Sequence, residues 1–397
     1  MKKLLFTLCC LPLFGFGQQT YIPDDNFESY LESNGMGNGI PNDDYVLTSN
    51  IYMVTNLDVS NQNISDLTGI EGFYSIEYLY CYSNQLTSID ITQNIFLEEL
   101  ACNDNNLSNI DITQNLFLNY FDCKNNNLSN IDVTQNDSLR ALYCSNNQLT
   151  SLDVSNNIFL EGLNCSNNLL SSIDVSQNIW LHWFPCHDNF LTTIDVSNNL
   201  NLHTFMCYNN LLTSLDLTNN FYLEFLGCSG NQISSINLPL FSQIIDLVCY
   251  DNNLTSLDLS NQSELSLLVC YDNNLEILDL SSNINLTSLW CGNNQLTLLD
   301  VSNGNNTNFT HFSAQNNSML ACINVDNPNY SFLNWTSIDP QHYFSDNCSL
   351  TSIEDYDTIK EAFKVIDILG REVNEERNTP LFYIYDDGTV EKKIIIE

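Results

Sequence analysis

Residues 76–94 read Ile76-Glu-Tyr-Leu79-Tyr-Cys81-Tyr-Ser-Asn84-Gln-Leu86-Thr-Ser-Ile89-Asp90-Ile91-Thr92-Gln-Asn94. The same design returns every 21 residues, which places cysteines at Cys81, Cys102, Cys123, Cys144, Cys165, Cys186, Cys207, Cys228, Cys249, Cys270 and Cys291. Neither a disulfide framework nor a zinc site gives such a series. A fixed period of this length marks a solenoid in which each repeat is one coil stacked on the last.

Residues two apart on a strand face the same side, so Leu79 and Cys81 point inward and Tyr80 outward. An Asn stands three residues after each of the eleven cysteines, from Asn84 and Asn105 to Asn273 and Asn294. Its amide can bond backbone groups that the bend leaves unpaired. The second half, Leu86-x-x-Ile89-x-Ile91-x-x-Asn94, repeats the alternation and predicts a second short strand, hence two parallel sheets around an apolar filling. The pattern L-x-x-L-x-C-x-x-N-x-L resembles the leucine-rich repeat, with cysteine in the third apolar slot. The resemblance implies a β-rich leucine-rich repeat solenoid over residues 51–321, with little helix.

Coils without cysteine extend the series. Val54, Leu57, Val59 and Gln62 begin an earlier coil; Phe309, Phe312, Ala314, Asn317 and Met319 form a later one. The total is about thirteen coils. Both ends need covers. Residues 18–50 supply the first. Asp25-x-x-Glu28 reads as a capping box, Phe27 and Leu31 share a face, and Gly35 is the stop, which predicts a helix over 24–34. Residues 322–350 supply the second, where Tyr330, Phe332, Trp335, Tyr343 and Phe344 close the last coil. Cys322 and Cys348 fall off the lattice, and in an exported chain they form a disulfide. The periodic cysteines are expected as free thiols, because inward side chains on adjacent parallel strands sit too far apart for a bridge.

The chain carries 10 Lys and Arg against 48 Asp and Glu, a net charge of −38. Between Gln18 and Ile353 its basic residues are Lys124 and Arg140. Nucleic acid is excluded as a partner, because phosphates demand Lys and Arg; anionic membrane surfaces are disfavoured likewise. Residues 1–17 read as a secretory signal peptide: Met1-Lys2-Lys3, an apolar run, then Gly15 and Gly17 before Gln18. The run is too short to span a bilayer, and no other segment is a transmembrane candidate.

Residues 351–397 differ in composition, with Lys360, Lys364, Arg371, Arg377, Lys392 and Lys393 close together. Strands are predicted at Lys364–Leu369, Leu381–Tyr385 and Thr389–Ile396, with a hairpin turn at Asp386-Asp387-Gly388. The segment Asp367-Ile-Leu-Gly-Arg371, the Leu381-Phe-Tyr-Ile block and Lys392-Lys393 before an apolar end resemble the type A sorting domain of the type IX secretion system, without its usual opening Y-P-N-P. That resemblance implies a linker and sorting domain, engagement of type IX machinery, and release or anchoring at the outer-membrane surface of a Gram-negative bacterium.

Stacking turns each repeat position into a column. Asp90, Asp111, Asp132, Asp153, Asp174, Asp195, Asp216, Asp258, Asp279 and Asp300 make an acidic one. Hydroxyls two residues on (Thr92, Thr113, Thr134, Ser155) offer hydrogen bonds that offset its repulsion, and calcium bridging is the functional alternative. No cofactor is required by any motif; calcium is the candidate ion. Tyr78, Tyr80, Tyr82, Tyr120, Tyr143, Trp183, Met206, Tyr208, Phe225, Tyr250, Tyr271 and Trp290 point outward near the cysteines and form a candidate binding surface. Arg140, Glu161, His182, His203 and Glu224 form a mixed column, read either as balanced surface charge or as a transition-metal site. H-E-x-x-H, G-x-S-x-G and phosphate-binding glycine loops are absent, so an enzyme is not expected. Protein ligands bound in adhesion or surface interaction are the leading expectation, with glycans or a calcium-stiffened structural role as alternatives.

Overall fold

The computed structural model describes residues 17–240, 243–348, 362–366, 380–385 and 390–394. The chain divides into two compact units, Met1–Asn347 and Cys348–Glu397. The expected signal peptide, apart from Gly17, and the Asp386–Gly388 turn lie outside the described residues.

A parallel sheet of thirteen three-residue strands runs from Asn56–Asp58 to His311–Ser313. Each strand pairs in register with the next at the repeat spacing, as in Tyr78↔Glu99, Leu79↔Leu100 and Tyr80↔Ala101. The central residue (Leu79, Leu100, Phe121, Leu142) and the cysteine that follows are fully buried. All eleven periodic cysteines are free and buried. Burial pushes the Cys81, Cys165, Cys249 and Cys291 thiols up to about 12.

The bend after each strand has a backbone cause that periodicity alone does not show. The residue two after each cysteine has positive φ, as at Ser83 (53°), Asp104 (55°), Asn125 (54°) and Asp188 (53°). Asn, Asp and Gly enter the left-handed region at least cost, which accounts for the polar residues there. The Asn that follows then ties three carbonyls. Asn168 Nδ2 donates to Cys144 O (3.0 Å), Cys165 O (3.1 Å) and Ser166 O (3.1 Å), and its Oδ1 accepts from Leu149 N (3.0 Å). A second buried row lies later in the coil. Asn178 Nδ2 donates to Val154 O (3.0 Å) and Asn157 O (2.9 Å), while its Oδ1 has no donor.

Three expectations are corrected. The second sheet is not continuous. Among the described residues it forms as a two-stranded piece, Ser214–Asp216 with Ser235–Asn237, and a four-stranded piece beginning at Ile277–Asp279. The bond from the Asp side chain to the N–H two residues on is common to coils with and without a strand there: Thr218 N bonds Asp216 and Ser281 N bonds Asp279, as Thr92 N bonds Asp90. In the last coil Leu320, not Met319, is the buried residue, three positions after Asn317 where Leu86 stands two after Asn84; Met319 is 68% exposed. Closure comes from Phe309, Phe312, Trp335 and Phe344, with Phe312 stacked on Trp335 at 4.1 Å, while Phe332 and Tyr343 face solvent.

The N-terminal helix spans Asp25–Ser33, but Asp24 is its cap, accepting from Asn26 N and Phe27 N at 3.0 Å. Glu28 does not complete a capping box: its carboxylate accepts from Asp43 N (3.1 Å) and Asp44 N (3.3 Å). Asp24 Oδ2 also accepts from Ser65 N and Ser65 Oγ at 2.8 Å, joining the helix to the first coil. Burial works to raise the Asp24 carboxyl, but bonds from Ser65, Phe27 and Asp66 outweigh it and hold the group below its ordinary value. Cys322 and Cys348 are both disulfide-bonded. In the second unit Ala362–Ile366, Pro380–Tyr385 and Val390–Ile394 form a three-stranded antiparallel sheet.

Candidate binding face

Strand residues flanking the buried central one emerge on the outer face of the main sheet. Tyr78, Tyr80, Tyr82, Tyr120, Tyr143, Trp183, Met206, Tyr208, Phe225, Tyr250, Tyr271 and Trp290 all lie there, and all are half-buried rather than exposed. Rings cover one another between adjacent coils and, across Gly162, between coils two apart. Tyr143 meets Tyr120 edge-on at 5.5 Å and Trp183 at 5.6 Å. Further along, Tyr250 stacks on Tyr271 at 4.6 Å and Trp290 on His311 at 5.1 Å. The two tryptophans are thus packed against neighbouring rings, Trp183 on Tyr143 and Trp290 on His311, and the face presents ring edges and faces.

The platform contains a recess of about 390 Å³ lined by Tyr80, Glu99, Ala101, Tyr120, Asp122 and Lys124, among others. Tyr80 Oη donates to Glu99 Oε2 at 2.7 Å, and Lys124 Nζ lies 3.0 Å from Asp122 Oδ2. Burial raises the Tyr80 and Tyr120 phenols to about 12, and nearby carboxylates add to the shift. Burial also raises the Asp122 carboxyl, against the pull of Lys124.

The acidic column employs its carboxylates locally. Asp111 Oδ1 accepts from Thr113 N (2.9 Å) and Thr113 Oγ1 (2.7 Å), and Asp90, Asp132 and Asp258 repeat the motif. Those hydroxyl and backbone bonds hold the carboxyls of Asp90, Asp111, Asp132, Asp153, Asp174, Asp195 and Asp258 below the ordinary value. The mixed column is not a metal cluster. Arg140 is bound to Glu161, His203 bonds Asn201 O at 2.7 Å, and the His182 and His203 rings stand 6.5 Å apart. Among the described residues, one acidic group has ligand atoms within 4.8 Å of one another: Asp25, Glu28 and Asp44 beside the N-terminal helix.

Sequence reasoning missed an apolar ridge. Leu116, Ile158, Phe159, Ile179, Trp180, Leu200, Phe221 and Tyr222 are each 46–54% exposed and occupy one or two adjacent repeat positions, fourteen and fifteen after the cysteine. Reading those two columns as columns would have found it. The ridge meets the mixed column, where His203 stacks on Tyr222 at 5.9 Å.

No family model matches the chain. A segment of 74 residues, 19% of the chain, is 33% identical to Internalin J of Listeria monocytogenes serotype 4b (strain F2365) and covers 8% of that protein. Among solved structures, the functional domain of InlJ from Listeria monocytogenes, which includes a cysteine ladder, aligns at 25% identity over 96% of this chain and 99% of that one, with a TM-score of 0.46. The internalin InlF from Listeria monocytogenes str. 4b F2365 aligns at 20% identity over 74% of this chain and 90% of that one, with a TM-score of 0.57.

Proposed function

We propose that this leucine-rich repeat protein, similar to the internalins, is an exported, non-enzymatic interaction protein that holds a protein partner on the outer face of its main sheet. The observation that carries the reading is the pair of packed aromatic runs, Tyr120–Tyr143–Trp183 and Tyr250–Tyr271 with Trp290–His311, set on one hydrogen-bonded sheet. Large rings already fixed by their neighbours give contact area at little entropic cost on binding. The charge of −38 favours basic or neutral partners. Capture of partners from the native surroundings by the full chain tests this, run beside Trp183→Ala and Trp290→Ala variants with unchanged melting. Specific capture lost in the variants supports the platform; equal capture by all three overturns it. Saturable binding to a purified polysaccharide, lost in the same variants, would replace the protein partner with a glycan.

The basic, apolar N-terminal start and the tail's motifs support export through the type IX route to the cell surface. Deleting residues 364–397 then leaves a folded solenoid in the periplasm. Normal surface levels of the truncated chain would overturn this route.

A further inference from the structure

We propose that the recess above Ala101 receives one cationic side chain of the partner, an arginine guanidinium or a lysine ammonium. This rests on the reading that the main-sheet face holds a protein.

Register builds the recess. Pairing sets Tyr78, Glu99 and Tyr120 side by side in one row, and Tyr80, Ala101 and Asp122 in the next. Ala101 is the only small side chain among these six, and the space it leaves is walled by its neighbours' rings and carboxylates. The charges do not balance. Lys124 serves Asp122 at 3.0 Å, and Arg140, the other basic residue between Gln18 and Ile353, is bound to Glu161. Among the described residues, Glu99 therefore has a tyrosine hydroxyl as donor but no basic residue of its own. A carboxylate beside tyrosine rings, in a site partly shielded from water, matches a cation carried on an apolar stem: the charge meets Glu99 and the ring faces, and the methylenes lie against the rings. An anion would meet two carboxylates. A bare hard metal ion would find too few oxygens, because Glu99 and Asp122 do not converge with a third ligand.

The test uses Nα-acetyl-arginine amide and Nα-acetyl-lysine amide as probes, with neutral Nα-acetyl-citrulline amide as comparator. Each is titrated against the full chain by saturation-transfer NMR at about 0.15 M salt, where long-range attraction to the acidic surface is screened. Saturable binding of a cationic probe but not of citrulline is expected. Glu99→Gln, which keeps the shape and removes the charge, should weaken it about tenfold or more. Ala101→Leu, which fills the recess, should abolish it, and the remote Glu224→Gln should leave it unchanged. A preference for arginine over lysine, or the reverse, identifies the group. Equal binding of citrulline, or equal loss with Glu224→Gln and Glu99→Gln, overturns the proposal. If partner capture depends on Trp183 while the probes ignore Glu99, the recess assignment fails and the platform stands. If the probes depend on Glu99 while capture ignores Trp183 and Trp290, the platform fails and the recess remains a cation site.

Discussion

The two asparagines that most coils carry differ in how completely they are used, and this sets what each contributes. Asn168 serves four backbone groups, three carbonyls and the Leu149 N–H. Asn178 serves two carbonyls and leaves its own Oδ1 buried without a donor. Stranding a buried polar group costs about 1–3 kcal/mol. Asn168→Ala should therefore destabilise by about 3 kcal/mol or more in urea unfolding, and Asn178→Ala by clearly less, since it also removes an orphaned acceptor. An equal loss would contradict this division. The cysteines give a second expectation at the same scale. Their thiols are fully buried and raised by that burial, so a thiol reagent should leave them unmodified in the native protein and modify all eleven after denaturation without reductant. A mass corresponding to internal disulfides among them would refute it.

At the scale of the element, the Asp-Thr and Asp-Ser turns act as one-residue staples on the side of the coil away from the main sheet. Thr113→Ala removes the shortest bond to Asp111, so the Asp111 carboxyl should titrate higher in the variant, closer to its ordinary value, when followed by NMR. An unchanged titration would mean that the backbone bond from residue 113 alone sets it. The apolar ridge is the opposite kind of element, exposed on every coil that carries it. Phe159→Ser with Trp180→Ser should leave the melting temperature nearly unchanged, since exposed substitutions shift stability by about 0.5 kcal/mol or less, and should lower binding of a hydrophobic dye. A large fall in melting temperature would show that the ridge is packed.

For the whole molecule, two electrostatic effects oppose each other with pH. The net charge of −38 makes the folded chain repel itself, and protonation relieves that. Against this, the seven carboxyls held low by their turns stabilise the fold above their unfolded-state value, and that contribution is lost as pH falls through their folded values. Asp24 and Asp339 are held low as well, so Asp122 and Asp246, raised by burial, act the other way as two against nine. Thermal stability should pass through a maximum between about pH 4 and 5 and decline toward pH 2. A steady rise down to pH 2 would mean that repulsion dominates throughout. Calcium and magnesium at equal ionic strength should raise melting alike, because each column carboxylate already has donors from its own turn; a distinctly larger calcium shift would assign a site to that column.

The period, the inward Leu and Cys positions, the Asn bend and the three tail strands were legible in the sequence, because strand alternation and a repeated spacing are local properties. The candidate aromatics were legible as a column too, since outward positions recur with the period. Their packing was not: whether Trp183 is bare or seated against Tyr143 depends on how the rings of neighbouring coils settle, which no single coil encodes. Which stretches of the second sheet pair was not legible either, because coils with and without a strand there carry the same Asp turn. Asp24 displaced Asp25 as the helix cap because Ser65, far along the chain, came within reach of its carboxylate. The recess exists because register sets a small Ala101 between Tyr80 and Asp122. The sequence alone determined the coil; the tertiary structure decided which side chains of different coils meet, because those contacts join residues about one repeat apart or more.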